Sequence, residues 1–164
     1  MKKILVVNAM GYQGYKVTNF LNNQGHNVIA VDRYFQEDKN KANKFFKLDL
    51  KHKDSVKLLS ELCKPEILVF CAEQNSDEYR DVVMLNNITG NIDTLKSLIL
   101  SLDYVPTKVD NLNDLIRYNL VTLIRFYSIR NDANELIITS SDNLLKSIKS
   151  FLLRGGGVDG EKNN

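Results

Sequence analysis

Residues 4–14, ILVVNAMGYQG, decide how the rest of the chain is read. The first four are apolar and β-rich, and a glycine turn follows at once. Val17, Phe20 and Leu21 then recur at helical spacing, and Gly25 stands where a helix would stop. A strand that runs into such a turn and opens a helix presents free backbone N–H groups at the helix's positive end, a seat for phosphate. Gly11 and Gly14 supply two of the glycines, and Asn8 stands in the place of the first. Asn tolerates positive φ better than other non-glycine residues. The turn is therefore expected to survive, with the Asn8 side chain adding bulk beside the phosphate seat and weakening the grip.

The pattern outward from this turn alternates. Val28 to Val31 reads as a second strand and Phe45 to Leu48 as a short third. Val56, Leu59, Leu62 and Cys63 make a helix face that stops before Pro65. Ile67 to Cys71 is a fourth strand, apolar throughout, as in the middle of a parallel sheet. Leu85, Ile88, Ile92, Leu95, Ile99 and Leu102 step by threes and fours and predict a helix over 85–102. A second helix is expected over Leu112 to Tyr127, with Asp110 as N-cap. Leu136 to Thr139 reads as a fifth strand and Leu144 to Leu153 as a last helix. The expectation is one α/β domain over residues 1–153, a doubly wound parallel sheet of about five strands with an extra helix between the fourth and fifth. The end, RGGGVDGEKNN, is expected to be disordered.

Composition narrows the function. The chain of 164 residues is 43% hydrophobic and 26% charged, the balance of a globular domain. A net charge of +2, from 22 basic and 20 acidic side chains, is too even to imply nucleic acid or an anionic membrane as partner. No stretch approaches a membrane span, and the N-terminus lacks the apolar run of a secretory signal, so a cytoplasmic location is expected. Cys63 and Cys71 read as small apolar filler. His26 and His52 have no partners at metal-ligand spacing. No Gly-Lys-Ser/Thr ending makes a Walker loop, and Ser141-Asp142 has no histidine to form a nucleophile elbow.

The order of motifs resembles the extended short-chain dehydrogenase/reductase family, the nucleotide-sugar epimerases and dehydratases. That family opens with T-G-x-x-G-x-x-G, commonly ending in G-Y-I-G. Gly11, Tyr12 and Gly14 match that ending, with Gln13 between them on the same cofactor-binding turn, while Val7 and Asn8 replace the Thr and first Gly. The resemblance implies a Rossmann-like fold with NAD across the carboxyl ends of the strands. Asp32 would accept the adenosine ribose hydroxyls, and Arg33 beside it leaves NADP open. KLDL, residues 47–50, resembles the family's G-D-L, so Asp49 and Leu50 would face the adenine. VFCAEQ, 69–74, resembles V-I-H-L-A-A, which places Cys71 and Ala72 on the cofactor wall. YNLVTLIRFYS, 118–128, resembles the N-V-x-G-T-x-N-L-L-E helix, with Asn119 at its Asn. ELIITSSDN, 135–143, resembles the strand ending in S-S-S, whose last hydroxyl assists catalysis, here Ser141.

The family's chemistry also needs Tyr-x-x-x-Lys downstream of that serine, the lysine lowering the tyrosine pKa. No tyrosine follows Ser141. Tyr12–Lys16 fits the spacing but lies on the turn. Tyr104–Lys108 fits too, with Pro106 inside it breaking any helix. Three functions therefore stand open. One is a dinucleotide-binding module without complete catalytic machinery. Another is an epimerase, dehydratase or reductase component completed by a second chain, with Ser141 and Tyr104 as first suspects. The third is an interaction protein that has lost the ligand. Core packing is the ordinary reason for the 85–102 stripe; contact with a second copy or a partner protein is the alternative.

Overall fold

The computed structural model describes residues 1–34, 41–72, 78–102 and 135–154. Within them, six parallel strands form one sheet: β1 (Lys3–Val7), β2 (Asn27–Asp32), β3 (Lys44–Lys47), β4 (Ile67–Phe70), β5 (Ser97–Ser101) and β6 (Glu135–Thr139). Their spatial order is β3-β2-β1-β4-β5-β6. The chain winds outward from β1 to β3, then crosses back to lay β4 on the other side of β1. That reversal opens a crevice at the carboxyl ends of β1 and β4.

Among the described residues four α-helices cover the sheet: α1 (Tyr12–Asn23), α2 (Lys53–Leu62), α3 (Glu78–Asn91) and α4 (Leu144–Leu153). Strand alternation sorts the core into two layers. Leu5, Val7, Ile29, Val31, Leu68, Phe70, Leu98 and Leu100 face Val56 and Leu59 of α2 and Met84, Leu85 and Ile88 of α3. Ile4, Val6, Val28, Ala30, Ile67, Val69 and Ile99 face Val17 and Leu21 of α1 and Leu144, Ile148 and Phe151 of α4. Leu62, expected on the inner face of α2, is 52% exposed at that helix's last turn.

Gly25 ends α1 as its position predicts. Its φ is +86°. Its N–H donates to Asn22 O at 3.0 Å and the His26 N–H to Leu21 O at 3.2 Å. Those two bonds satisfy carbonyls that the end of a helix leaves open.

The region after α3 departs from the sequence reading. The helix predicted over 85–102 stops at Asn91, and 97–101 is a central strand between β4 and β6. A strand buried on both faces has no alternation, so Leu98-Ile99-Leu100 and its neighbours match a helical period by accident. Leu85, Ile88, Ile92, Leu95, Ile99 and Leu102 are each 1% exposed or less. They are core, and no docking stripe runs along them. The strand predicted as fifth is thus the sixth. The expected helix at 112–127, Asn119 and the pair Tyr104–Lys108 lie outside the described residues, as does the tail from 155 onward. Among the described residues, no helix is long and apolar enough to cross a membrane.

Candidate functional site

The expected site residues gather at one edge of the sheet, because each sits at or just past the carboxyl end of a parallel strand. The turn after β1 is the centre. Asn8 takes φ 63°, the one positive φ at a non-glycine among the described residues. It is 3% exposed, and its Nδ2 donates to the Cys71 carbonyl, just past β4, at 2.8 Å. The Ala9 N–H donates to Val31 O at 3.3 Å, and the Met10 N–H to Asp32 Oδ2 at 2.9 Å. The turn is therefore pinned to both neighbouring strands.

Gly11 and Gly14 do different work. Gly11 caps α1 at φ −72° and ψ 173°, a conformation open to any residue, and offers no side-chain bond to the first turn. The N–H groups of Tyr12, Gln13 and Gly14 thus receive nothing from the cap. A Cβ added at Gly11 would meet only Asn8 O, at 3.6 Å, so the space above it is open. At Gly14 a Cβ would lie 2.2 Å from Asn8 O and 2.6 Å from Ala9 Cα. Gly14 lets the helix pack onto the turn, and Gly11 leaves room for a ligand to approach it. That is a fit for a pyrophosphate group. Tyr12 is 71% exposed, and the Lys16 ammonium lies 4.1 Å from its ring centre, one helical turn on.

Asp32 ends β2 buried, and its Oδ1 also accepts the Tyr34 N–H at 3.3 Å. The adjacent Arg33 lays its guanidinium 5.0 Å from the Tyr34 ring centre. Past β3, Asp49 is held by Arg80 of α3: Nη2 to Oδ1 is 2.6 Å and Nη1 to Oδ2 is 3.4 Å. Burial pushes the Asp49 carboxyl up, but hydrogen bonds from the Arg80 guanidinium and the Lys51 N–H, with the Arg80 charge, outweigh it and hold the group below its ordinary value. Leu50 is a core residue, 1% exposed. Its carbonyl accepts from Asn87 Nδ2 at 3.0 Å.

Arg80 and Asn87 were not singled out from the sequence, although a signal exists. Asn87 and Gly90 match the Asn and Gly of N-V-x-G-T, with Ile88 in the place of its Val, on the helix that follows the fourth strand. Asn119 comes after the fifth.

At the ends of the next strands, Val7, Phe70 and Leu100 lie abreast in register. Cys71 is fully buried, and burial, then the nearby Asp32 charge, pushes its thiol far up. Ala72 is half-buried. Ser101 closes β5 beside Thr139. It is wholly buried, and its Oγ has no hydrogen-bond partner among the described residues. Ser141 follows β6, half-buried, at the start of a single 3-10 turn over Ser141–Asn143. The serine that ends the fifth strand is therefore Ser101, and Ser141 belongs past the sixth.

The profile of the NAD dependent epimerase/dehydratase family matches residues 4–101, from the start of β1 to the end of β5. No curated protein matches the chain. Solved structures do. UDP-glucose 4-epimerase from Thermotoga maritima superposes with a TM-score of 0.62 at 17% identity, over 84% of this chain and 54% of that one. The UDP-Glc/GlcNAc 4-epimerase of Campylobacter jejuni gives 0.63 at 17%, over 84% and 53%. UDP-glucose 4-epimerase from Brucella ovis, solved in complex with NAD, gives 0.62 at 16%, over 84% and 51%. The chain thus spans about half the length of these enzymes.

Proposed function

Because this chain belongs to the NAD dependent epimerase/dehydratase family, we propose that residues 1–153 form an NAD-binding domain of the nucleotide-sugar epimerase/dehydratase kind, without complete catalytic machinery of its own. The observation that carries this is the open, uncapped N-terminus of α1 beside a buried acid: Gly11 leaves the first-turn N–H groups bare, and Asp32 is bonded to the same turn through Met10 N. The pyrophosphate sits on Gly11, Tyr12, Gln13 and Gly14. The ribose hydroxyls of the adenosine half go to Asp32, and Arg33 is the residue that would favour a 2′-phosphate in NADP. Asp49 walls the adenine and Ala72 the other half. The Leu50 and Cys71 side chains, 1% and 0% exposed, lie in the core behind that wall and face no ligand, which corrects the expectation that they would line it. The chemistry supplied by bound NAD is reversible hydride transfer.

The test is thermal unfolding with NAD, NADH, NADP and ADP-ribose. A ligand at 100 times its Kd adds about 2.7 kcal/mol, on the order of 5–10 °C for a domain this size. Asp32→Ala should abolish the shift. A flat response to all four ligands would refute the binding reading and leave an interaction protein on an inherited fold.

A second reading, an active component completed by another chain, is favoured by Ser101. A buried hydroxyl with no partner, at the end of the fifth strand, is a better site for the assisting serine than Ser141. Moving the serine there also changes the search for its tyrosine, since Tyr104, Tyr118 and Tyr127 follow Ser101, and of these only Tyr104 has a lysine four residues on. Nicotinamide absorbance during turnover of a nucleotide sugar decides this reading. Loss of signal in Ser101→Ala, with Ser141→Ala unaffected, assigns the role; no turnover with any partner chain removes it.

A further inference from the structure

Arg80 lies in the first turn of α3, 8% exposed, and Asn87 lies two turns further along the same helix. Arg80 grips the Asp49 carboxylate at two points, 2.6 and 3.4 Å. Asn87 Nδ2 donates to Leu50 O at 3.0 Å and to Lys51 O at 2.8 Å. Three consecutive residues of the turn after β3 are therefore held by two side chains of one helix. Core burial does not require this, because the Leu50 side chain already anchors the turn. A nearly buried guanidinium is costly unless paired, so the arrangement serves to aim what it pairs with.

Asp49 remains partly open. Its side chain is 30% exposed. A carboxylate has about four lone-pair sites. Arg80 takes two, and the Lys51 N–H takes a third at 3.1 Å. His52 Nε2 stands 4.0 Å from Oδ2, too far for a hydrogen bond, so one acceptor site is left, at the carboxyl ends of the strands, where Asp32 also lies.

We infer that Arg80, supported by Asn87, is the positioning residue for base recognition: it holds Asp49 so that the remaining acceptor site meets the exocyclic amino group of adenine. This rests on the dinucleotide reading above. An ionised carboxylate only accepts hydrogen bonds, so it favours an amino group and opposes a carbonyl in the same place. Arg80 thus controls base selectivity, beyond any contribution to affinity.

The experiment compares ADP with inosine diphosphate, in which a carbonyl replaces that amino group, on the full chain by calorimetric titration. Wild type should prefer ADP by about tenfold, the size of one hydrogen bond to a charged group. Arg80→Gln should bring the ratio near one, Arg80→Lys should restore part of it, and Arg80→Gln should add nothing in an Asp49→Asn background. An equal loss of both ligands in Arg80→Gln, with the ratio kept, makes Arg80 merely structural and overturns the inference while the dinucleotide reading survives. Binding of neither ligand by wild type removes both. If Arg80→Gln does not fold, the ratio in Arg80→Lys and Asp49→Asn decides: retained in both, the inference fails; reduced in both, it stands.

Discussion

The side-chain amide of Asn8 bridges the turn after β1 to the carbonyl of Cys71 at the end of β4, at 2.8 Å. The bond spans the two parallel strands between which the strand order reverses, and it is made from a left-handed backbone at φ 63°. Asn8 therefore does two jobs that a glycine and a hydrogen-bond donor would otherwise share. Asn8→Ala keeps neither. It leaves a buried carbonyl unpaired, about 1–3 kcal/mol, and puts at positive φ a residue that tolerates it less well than Asn or Gly, up to about 1 kcal/mol more. Asn8→Gly loses only the bond. Denaturant midpoints should rank wild type above Gly and Gly above Ala. If Ala proves at least as stable as Gly, the backbone at residue 8 is not under the strain inferred.

Gly11 and Gly14 should separate folding from binding. Gly14→Ala drives a methyl against the backbone of Asn8 and Ala9, at 2.2 and 2.6 Å. Backbone cannot yield as a side chain does, so a loss of about 1–3 kcal/mol or more is expected. Gly11→Ala has open space and an ordinary φ, and should change stability by less than about 0.5 kcal/mol. It should instead weaken the NAD-induced shift in Tm, because the methyl narrows the approach to the first-turn N–H groups. Equal stability losses at both positions would contradict this division.

Two groups set separate pH windows. Burial, the N-terminal charge and Lys2 lower the His26 pKa from 6.5, opposed by Glu66. Its Nδ1 accepts the Lys2 N–H at 3.1 Å, which requires that nitrogen to be unprotonated. The unfolded chain takes up the proton first, so stability present above pH 6.5 is lost as pH falls from there through the lower folded value. Asp49 is likewise lowered from 3.8, so its contribution is present above that value and lost below it. Unfolding free energy against pH should show both steps. His26→Gln should flatten the upper one and leave the lower. A wild-type curve level from pH 7 to 5 would refute the His26 assignment.

Both cysteines should be silent in the native state. Cys63 and Cys71 are 4% and 0% exposed, and burial raises both thiols. Only the thiolate reacts with thiol reagents. Modification by a chromogenic disulfide should follow the rate of unfolding, and both thiols should titrate in denaturant. Rapid labelling in the folded protein would show local opening, at the end of α2 for Cys63 and at the end of β4 for Cys71, and would refute this prediction.

The α/β alternation, the glycine turn, the stop at Gly25 and the acids at the ends of β2 and β3 were legible because each is a local matter. Turn chemistry, capping and helical period are written within a few residues. The spacing at 97–101 misleads because a strand covered on both faces loses the alternation that would identify it, and the strand expected as fifth, with Ser141 after it, is therefore the sixth. The motif at Asn87 is as local as the one at Asn119, and only the strand count tells which of them lies on the helix after the fourth strand.

By itself the sequence determined the layered fold and which end of the sheet carries the polar turns. Tertiary structure alone decided that Asn8 reaches Cys71, 63 residues away, and that Arg80 reaches Asp49, 31 residues back. It also decided that Ser101 closes the fifth strand. Those relations depend on strand order and register. Strand order and register come from how two apolar layers pack on one sheet, and no local window of residues contains that packing.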